Sequence, residues 1–238
     1  MDKNLKAARG ALFSLLGNIF SYRCKLSYSL QYHTWLLYVK PVLRSGLSAL
    51  PIRTQMMKPI DKFHLKVLRA ILKLSLYSPI APLYFLLGEL PIEATLHLDV
   101  LNLFWNIWSN PHTMTFKVLQ YLLIMAKDNS ATWAAHIRLI FQLYSLPCPI
   151  TVLVSTLWTK KRWKNHIEAA VLSYHEAYWR SKAATNRKLR FFNVTTIGLS
   201  GRPHPILGWV KSTHDAVIIR PQIRMLAGDY QTYLNLSI

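Results

Sequence analysis

Apolar residues recur along most of this chain at steps of three and four, the spacing that gathers side chains on one face of a helix. In the stretch 59–74 Ile60, Phe63, Val67, Ile71 and Leu74 form one stripe, and Lys62, Lys66, Arg69 and Lys73 form another. Pro59 suits a first helical position, and Asp61 suits a first turn, where a carboxylate meets the positive end of the helix dipole. Ser78-Pro79 and Ala81-Pro82 break the pattern, an apolar turn follows over 83–87, and Gly88 closes it. Pro91 then opens a second long helix with Glu93 in its first turn.

The same pattern accounts for the rest of the chain. Residues 3–20 read as an amphipathic helix, with Leu5, Ala8, Leu12, Leu15, Leu16 and Ile19 opposed by Lys3, Lys6 and Arg9. A second helix over 28–50 carries Tyr32, Trp35, Leu36, Val39, Leu43, Leu47 and Leu50, and Pro41 is expected to kink or split it. After the break at 109–111, residues 113–127 read as a helix with Met114, Val118, Tyr121, Leu122 and Met125 facing inward. Trp133, Ile137, Ile140, Phe141 and Tyr144 make the next stripe. From Thr159 a long helix carries Trp163, Ile167, Ala170, Val171, Tyr174 and Tyr178; residues 193–213 read as a loop, and 215–227 as a helix kinked at Pro221. The expected fold is all-α: a thumb-like bundle of about eight to ten helices in all, followed by a helical linker with a long basic helix.

Charge sharpens this picture. The 238 residues hold 29 Lys/Arg and 10 Asp/Glu, a net charge of +19. Residues 1–75 hold 13 basic and 2 acidic side chains, residues 76–158 hold 3 and 4, and residues 159–238 hold 13 and 4. Three regions follow: a basic helical region 1–75, a neutral apolar connector 76–158, and a basic long helix, loop and terminal helix over 159–238. Solvated faces ordinarily mix both signs. Uncompensated positive charge suits a polyanion, or an anionic membrane surface bound peripherally. Candidate phosphate contacts are Lys62, Lys66, Arg69 and Lys73 on the first basic helix. Lys160, Lys161, Arg162, Lys164, Arg180, Lys182, Arg187, Lys188 and Arg190 mark the two ends of the long one. Trp158, Trp163 and Trp179 lie among the latter, a mixture that suits stacking beside charge neutralisation.

Catalytic signals are absent from the pattern. The ten acids include no Asp-Asp doublet, the nine histidines have no ligand spacing, and no glycine-rich phosphate loop is present. No cofactor, metal or small-molecule substrate is implied. Cys24 and Cys148 stand alone and fit a reducing compartment. Proline or charge interrupts every long apolar run, so no integral membrane segment is expected.

An ordered set of strings resembles a known family. "VLRAILKL…APLYFLLGELPIEATLHL" is similar to the region after the polymerase domain of non-LTR retrotransposon reverse transcriptases, through Leu68, Arg69, Leu72, Leu74, Gly88, Glu89, Leu90, Pro91, Ile92 and Glu93. "KAARGALFSLLG", "LLYVKPVLRSGLSAL", "SATWAAHIRLIFQLYSLP", "GRPHPIL" and "QIRMLAGDYQTY" follow the family's order from about Asn4 to about Tyr233, with Ser45 where the family often has an aromatic residue. The resemblance implies a non-catalytic portion, the thumb and post-polymerase linker, of an RNA-directed DNA polymerase. Its partners would be RNA, an RNA–DNA hybrid or DNA, and its location nuclear or cytoplasmic. A peripheral membrane-binding protein and a retroelement remnant without function are the alternatives.

Overall fold

A computed structural model of the chain describes residues 2–15, 27–51, 54–125, 132–147, 158–189, 192, 199, 203–208 and 213–229. The fold is all-α, and the described residues contain no strand. The helices are α1 (Asp2–Leu15), α2 (Tyr28–Thr34), α3 (Lys40–Arg44), α4 (Thr54–Leu72), α5 (Ile80–Leu87), α6 (Ile92–Trp108), α7 (Met114–Met125), α8 (Trp133–Leu143), α9 (Lys160–Ala184), α10 (Pro205–Gly208) and α11 (Thr213–Leu226). A π turn (Trp35–Val39) joins α2 to α3, and 3₁₀ turns lie at Leu47–Ala49 and Arg187–Leu189. Packing groups the chain into two units that are discontinuous in sequence. Unit 1 comprises residues 1–43, 58–91 and 176–238; unit 2 comprises 44–57 and 92–175. The three regions set by charge do not coincide with these units. Charge follows composition, whereas the units follow which apolar faces meet.

In unit 1 the stripe of α4 forms as its spacing dictates: Ile60, Phe63, Val67 and Ile71 are buried. The helix begins five residues before Pro59, which lies inside it. It ends at Leu72, because Lys73 takes a left-handed φ of 55°. The Leu74 amide then bonds back to the Arg69 carbonyl at 3.0 Å, the bond that closes a Schellman cap. The cap position that glycine usually fills holds a lysine here, so the sequence gives no stop signal. Gly88 does fill that position after α5, with φ 61° and the Glu89 amide on the Tyr84 carbonyl at 2.9 Å. Every residue from Ala81 to Leu87 is buried. A helix apolar on all sides belongs in the middle of a core, and each large side chain there stabilises by about 1.5–3 kcal/mol.

Pro41 does not split its helix. Ahead of it the chain widens into the π turn, where the Lys40 amide reaches the Trp35 carbonyl. Two turns of α-helix span about seven residues. The extra residue of the π turn makes that eight, and so aligns Tyr32 with Lys40 on one side. Leu50, expected inward, is exposed. Inside the stretch 193–213, α10 interrupts the expected loop, and the His204 amide donates to the Leu86 carbonyl at 2.7 Å. Cys24 and Cys148 lie outside the described residues.

Unit 2 is built around Trp163, which is fully buried. Trp105 stacks on it at 5.6 Å, and Phe104 and Phe141 lean against it at 6.2 and 6.0 Å. The turn at Leu47–Ala49 packs on α6, and Trp133 Nε1 donates to the Ser48 carbonyl at 2.8 Å. Ile137, Ile140, Phe141 and Tyr144 are buried as the stripe of α8 predicts. α7 turns the other way: Met114, Val118, Tyr121, Leu122 and Met125 are exposed, and Leu119 and Leu123 are buried. Its sequence, MTFKVLQYLLIM, is apolar nearly all round, so periodicity cannot select a face.

Candidate nucleic-acid interface

The cations of α4 do share one side of the helix, but burial deepens along it. Lys62 and Lys66 are exposed, as is Lys58 one turn earlier. Arg69 is half-buried and its Nη2 donates to the Ser78 carbonyl at 2.9 Å. Lys73 lies beyond the helix end and is 3% exposed. The expected four-point grip is therefore corrected. Arg69 serves the turn at Ser78, Lys73 is buried, and the surface patch is Lys58, Lys62 and Lys66. α1 adds Arg9 to this patch. Together the two helices wall a groove of about 790 Å³ whose floor includes Leu12, Phe63, Val67 and Ala70. The sequence held signals for both additions. Lys58 stands four residues before Lys62, and Arg9 lies on the polar side of α1.

The long helix distributes its cations differently. In unit 2, Lys160, Lys161, Arg162 and Lys164 are exposed at the start of α9. The Thr159 hydroxyl accepts from the Arg162 amide at 3.3 Å and its carbonyl accepts from Trp163 at 2.8 Å, which caps the helix despite the unfavourable charges around its end. Lys164 reaches Glu168 one turn on at 3.8 Å, and Arg162 lies over the Trp158 ring at 5.8 Å. In unit 1, Lys182, Arg187 and Lys188 are exposed. Arg180 instead forks onto Glu176 and lies over Phe85 at 5.9 Å, a structural pairing. Arg190 lies outside the described residues. Trp163 is corrected as a stacking residue, because it is wholly inside unit 2. Trp179 is half-buried against Tyr84, with ring centroids 5.0 Å apart.

Several acids, though not Asp2 or Glu168, are drawn into pairs inside the fold, which the sequence did not reveal. Glu89 is 3% exposed. The Tyr32 hydroxyl donates to its Oε2 and the Lys40 ammonium to its Oε1. His64 Nε2 lies 3.7 Å away, on a ring stacked against Trp35 at 5.4 Å. Burial holds His64 neutral, with its pKa lowered to about 4 although Glu89 pulls the other way. Burial first, and Glu89 second, push the Tyr32 phenol well up. In unit 2 Arg44 forks onto Asp99. In unit 1 Asp229 accepts from the Ser75 amide at 3.0 Å and its hydroxyl at 2.8 Å.

Unit 2 also gathers three histidines that lie far apart in sequence. The Tyr144 hydroxyl sits 2.7 Å from His97 Nδ1 and 3.0 Å from His175 Nε2, and the His136 ring lies 5.8 Å from that of His97. Burial lowers His97 to about 3, helped by His136 and His175, and lowers His175 to about 4. Two neutral rings thus flank one hydroxyl, which donates to one and accepts from the other. Among the described residues no group of three or more His, Cys, Asp or Glu could hold a metal ion. No described helix is long and apolar enough to cross a membrane. No family model, curated protein or solved structure matches this chain.

Proposed function

We propose that this chain is a non-catalytic nucleic-acid-binding protein, the counterpart of the thumb and post-polymerase linker of a non-LTR retrotransposon reverse transcriptase. One observation carries the reading: four acids are held in pairs within their own unit, while most of the described lysines stay exposed. Glu89, Asp99, Glu176 and Asp229 each accept hydrogen bonds from their own unit. Lys58, Lys62, Lys66, Lys160, Lys161, Arg162, Lys182, Arg187 and Lys188 are exposed. A surface so composed repels itself and favours a polyanion, whose counterions are released on contact.

The contacts are to backbone phosphate, and so are blind to sequence. Lys62 and Lys66 stand about 6 Å apart along the α4 axis, four residues at about 1.5 Å each. Two phosphates of one strand engage them without bending the helix. The test is titration with an RNA–DNA hybrid at several salt concentrations. Replacing Lys62 and Lys66 by Gln is expected to weaken binding and to lower the log–log salt slope by about 1.4 to 1.8, at about 0.7–0.9 per lost contact. Unchanged affinity and slope, or binding to anionic vesicles with none to nucleic acid, would overturn the reading and favour a membrane surface.

A further inference from the structure

We infer that the groove between α1 and α4 takes an unpaired nucleic-acid strand, with bases against Phe13 and phosphates on Arg9, Lys58, Lys62 and Lys66. The inference rests on the nucleic-acid reading above and narrows it to one conformation of the ligand.

The sequence sets out both components. On α1, Arg9 and Phe13 are four residues apart and share a face. On α4, Lys58, Lys62 and Lys66 recur at the same step, with Phe63 and Val67 between their rows. The fold lays these faces side by side as the walls of the groove. Its volume, about 790 Å³, lies within the usual range for ligand-binding clefts, about 300–1,000 Å³. Phe63 and Val67 are buried beneath it, whereas Phe13 is 68% exposed. That ring is a large apolar surface left in water beside four cations. No acid lines the groove among the described residues.

These features discriminate among anions. A duplex turns its bases inward and offers phosphate and sugar, so it has no use for an apolar floor. An unpaired strand offers a charged backbone and, for every base, a π face that stacks on an aromatic side chain. A single carboxylate with an alkyl chain would satisfy the floor but leave most of the four cations unmatched. A bilayer surface meets cations readily but cannot follow a concave floor.

The probes are a fluorescently labelled single-stranded homopolymer of twelve nucleotides and a twelve-base-pair duplex, titrated with the full chain. The parent protein is expected to prefer the single strand. Phe13→Ala should weaken single-strand binding by about 5- to 150-fold, the range for one stacked base, with the salt slope and duplex affinity unchanged. Phe13→Trp should restore binding and show indole quenching. Lys58→Gln with Lys62→Gln should lower the salt slope instead. Phe13 is mostly exposed, so its replacement leaves the fold intact, and a circular dichroism melt verifies this. If Phe13→Ala binds the single strand as the parent does, the base site is refuted and backbone binding stands. If an acidic amphipathic peptide displaces the strand and binds more tightly, the groove is a protein site and the inference fails. If neither nucleic acid binds, the underlying reading fails with it.

Discussion

Replacing Glu89 by Ala tests the centre of unit 1 most sharply. The carboxylate is the shared acceptor for Tyr32 and Lys40, and all three side chains are buried. Alanine leaves the Lys40 ammonium, at 11% side-chain exposure, with no opposing charge, and leaves the Tyr32 hydroxyl without its acceptor. Breaking one side of a buried ion pair costs about 3–5 kcal/mol, chiefly because the survivor stays desolvated and unpaired. Against a total stability of roughly 5–15 kcal/mol, that is a large fraction. In urea, with an m-value of about 3 kcal/mol/M, the midpoint should fall by roughly 1–1.7 M. Circular dichroism at the helical minimum follows it. Replacing Glu89 and Lys40 together by Met should recover most of the loss, since apolar residues of similar volume satisfy the same space without desolvated charge. A loss below about 1 kcal/mol, or a double variant as unstable as Glu89→Ala, would refute the reasoning.

Three further outcomes follow from the buried histidines and from the left-handed backbone positions. His64, His97 and His175 are neutral in the folded chain down to about pH 4, 3 and 4, whereas in the unfolded chain each binds a proton from about pH 6.5. The unfolded state therefore holds more protons below pH 6.5, so stability is full above that pH and is lost as pH falls toward 4; melting temperatures measured across this window should decline on acidification. At Gly228, with φ 68°, an added Cβ would lie 2.5 Å from the Lys188 carbonyl oxygen, whereas at Gly46, with φ 71°, it would meet nothing within 4 Å. Gly228→Ala should cost about 2–4 kcal/mol and Gly46→Ala about 1, the difference in chemical denaturation isolating the clash from the backbone strain. Ser145 caps α8 at φ 51°, so Ser145→Gly should raise stability by about 0.5 kcal/mol, left-handed strain relieved exceeding the flexibility added; a lower midpoint would contradict this.

The sequence disclosed what depends on neighbours three and four residues away. The buried stripes of α4 and α8, the capping glycine after α5 and the burial of Ile167 and Val171 in α9 all follow from local spacing. What it concealed depends on distant partners. Tyr32 and Glu89 are 57 residues apart, and His97 and Tyr144 are 47 apart. Nothing near either member announces the other. Lys73 and Ser145 hide helix ends because the cap is made by backbone geometry at a residue that does not favour it. The candidate site was half visible. The period of α4 aligned its cations, but only the burial of its C-terminal end separates Arg69 and Lys73 from the exposed Lys62 and Lys66.

The hydrogen bonds from Ser75 to Asp229 span 154 residues of chain. A ribosome adding about 5–20 residues per second completes that interval in roughly 8–30 s. Throughout it, the first two segments of unit 1 must wait for the third, with the apolar helix α5 already made and one of its covers still unwritten. Unit 2 is spared this delay, because its last residue, His175, precedes the closing segment of unit 1. The order of synthesis thus makes the nested unit the first that can finish. Unit 1 carries the longer exposure to chaperones, to proteases and to its own kind.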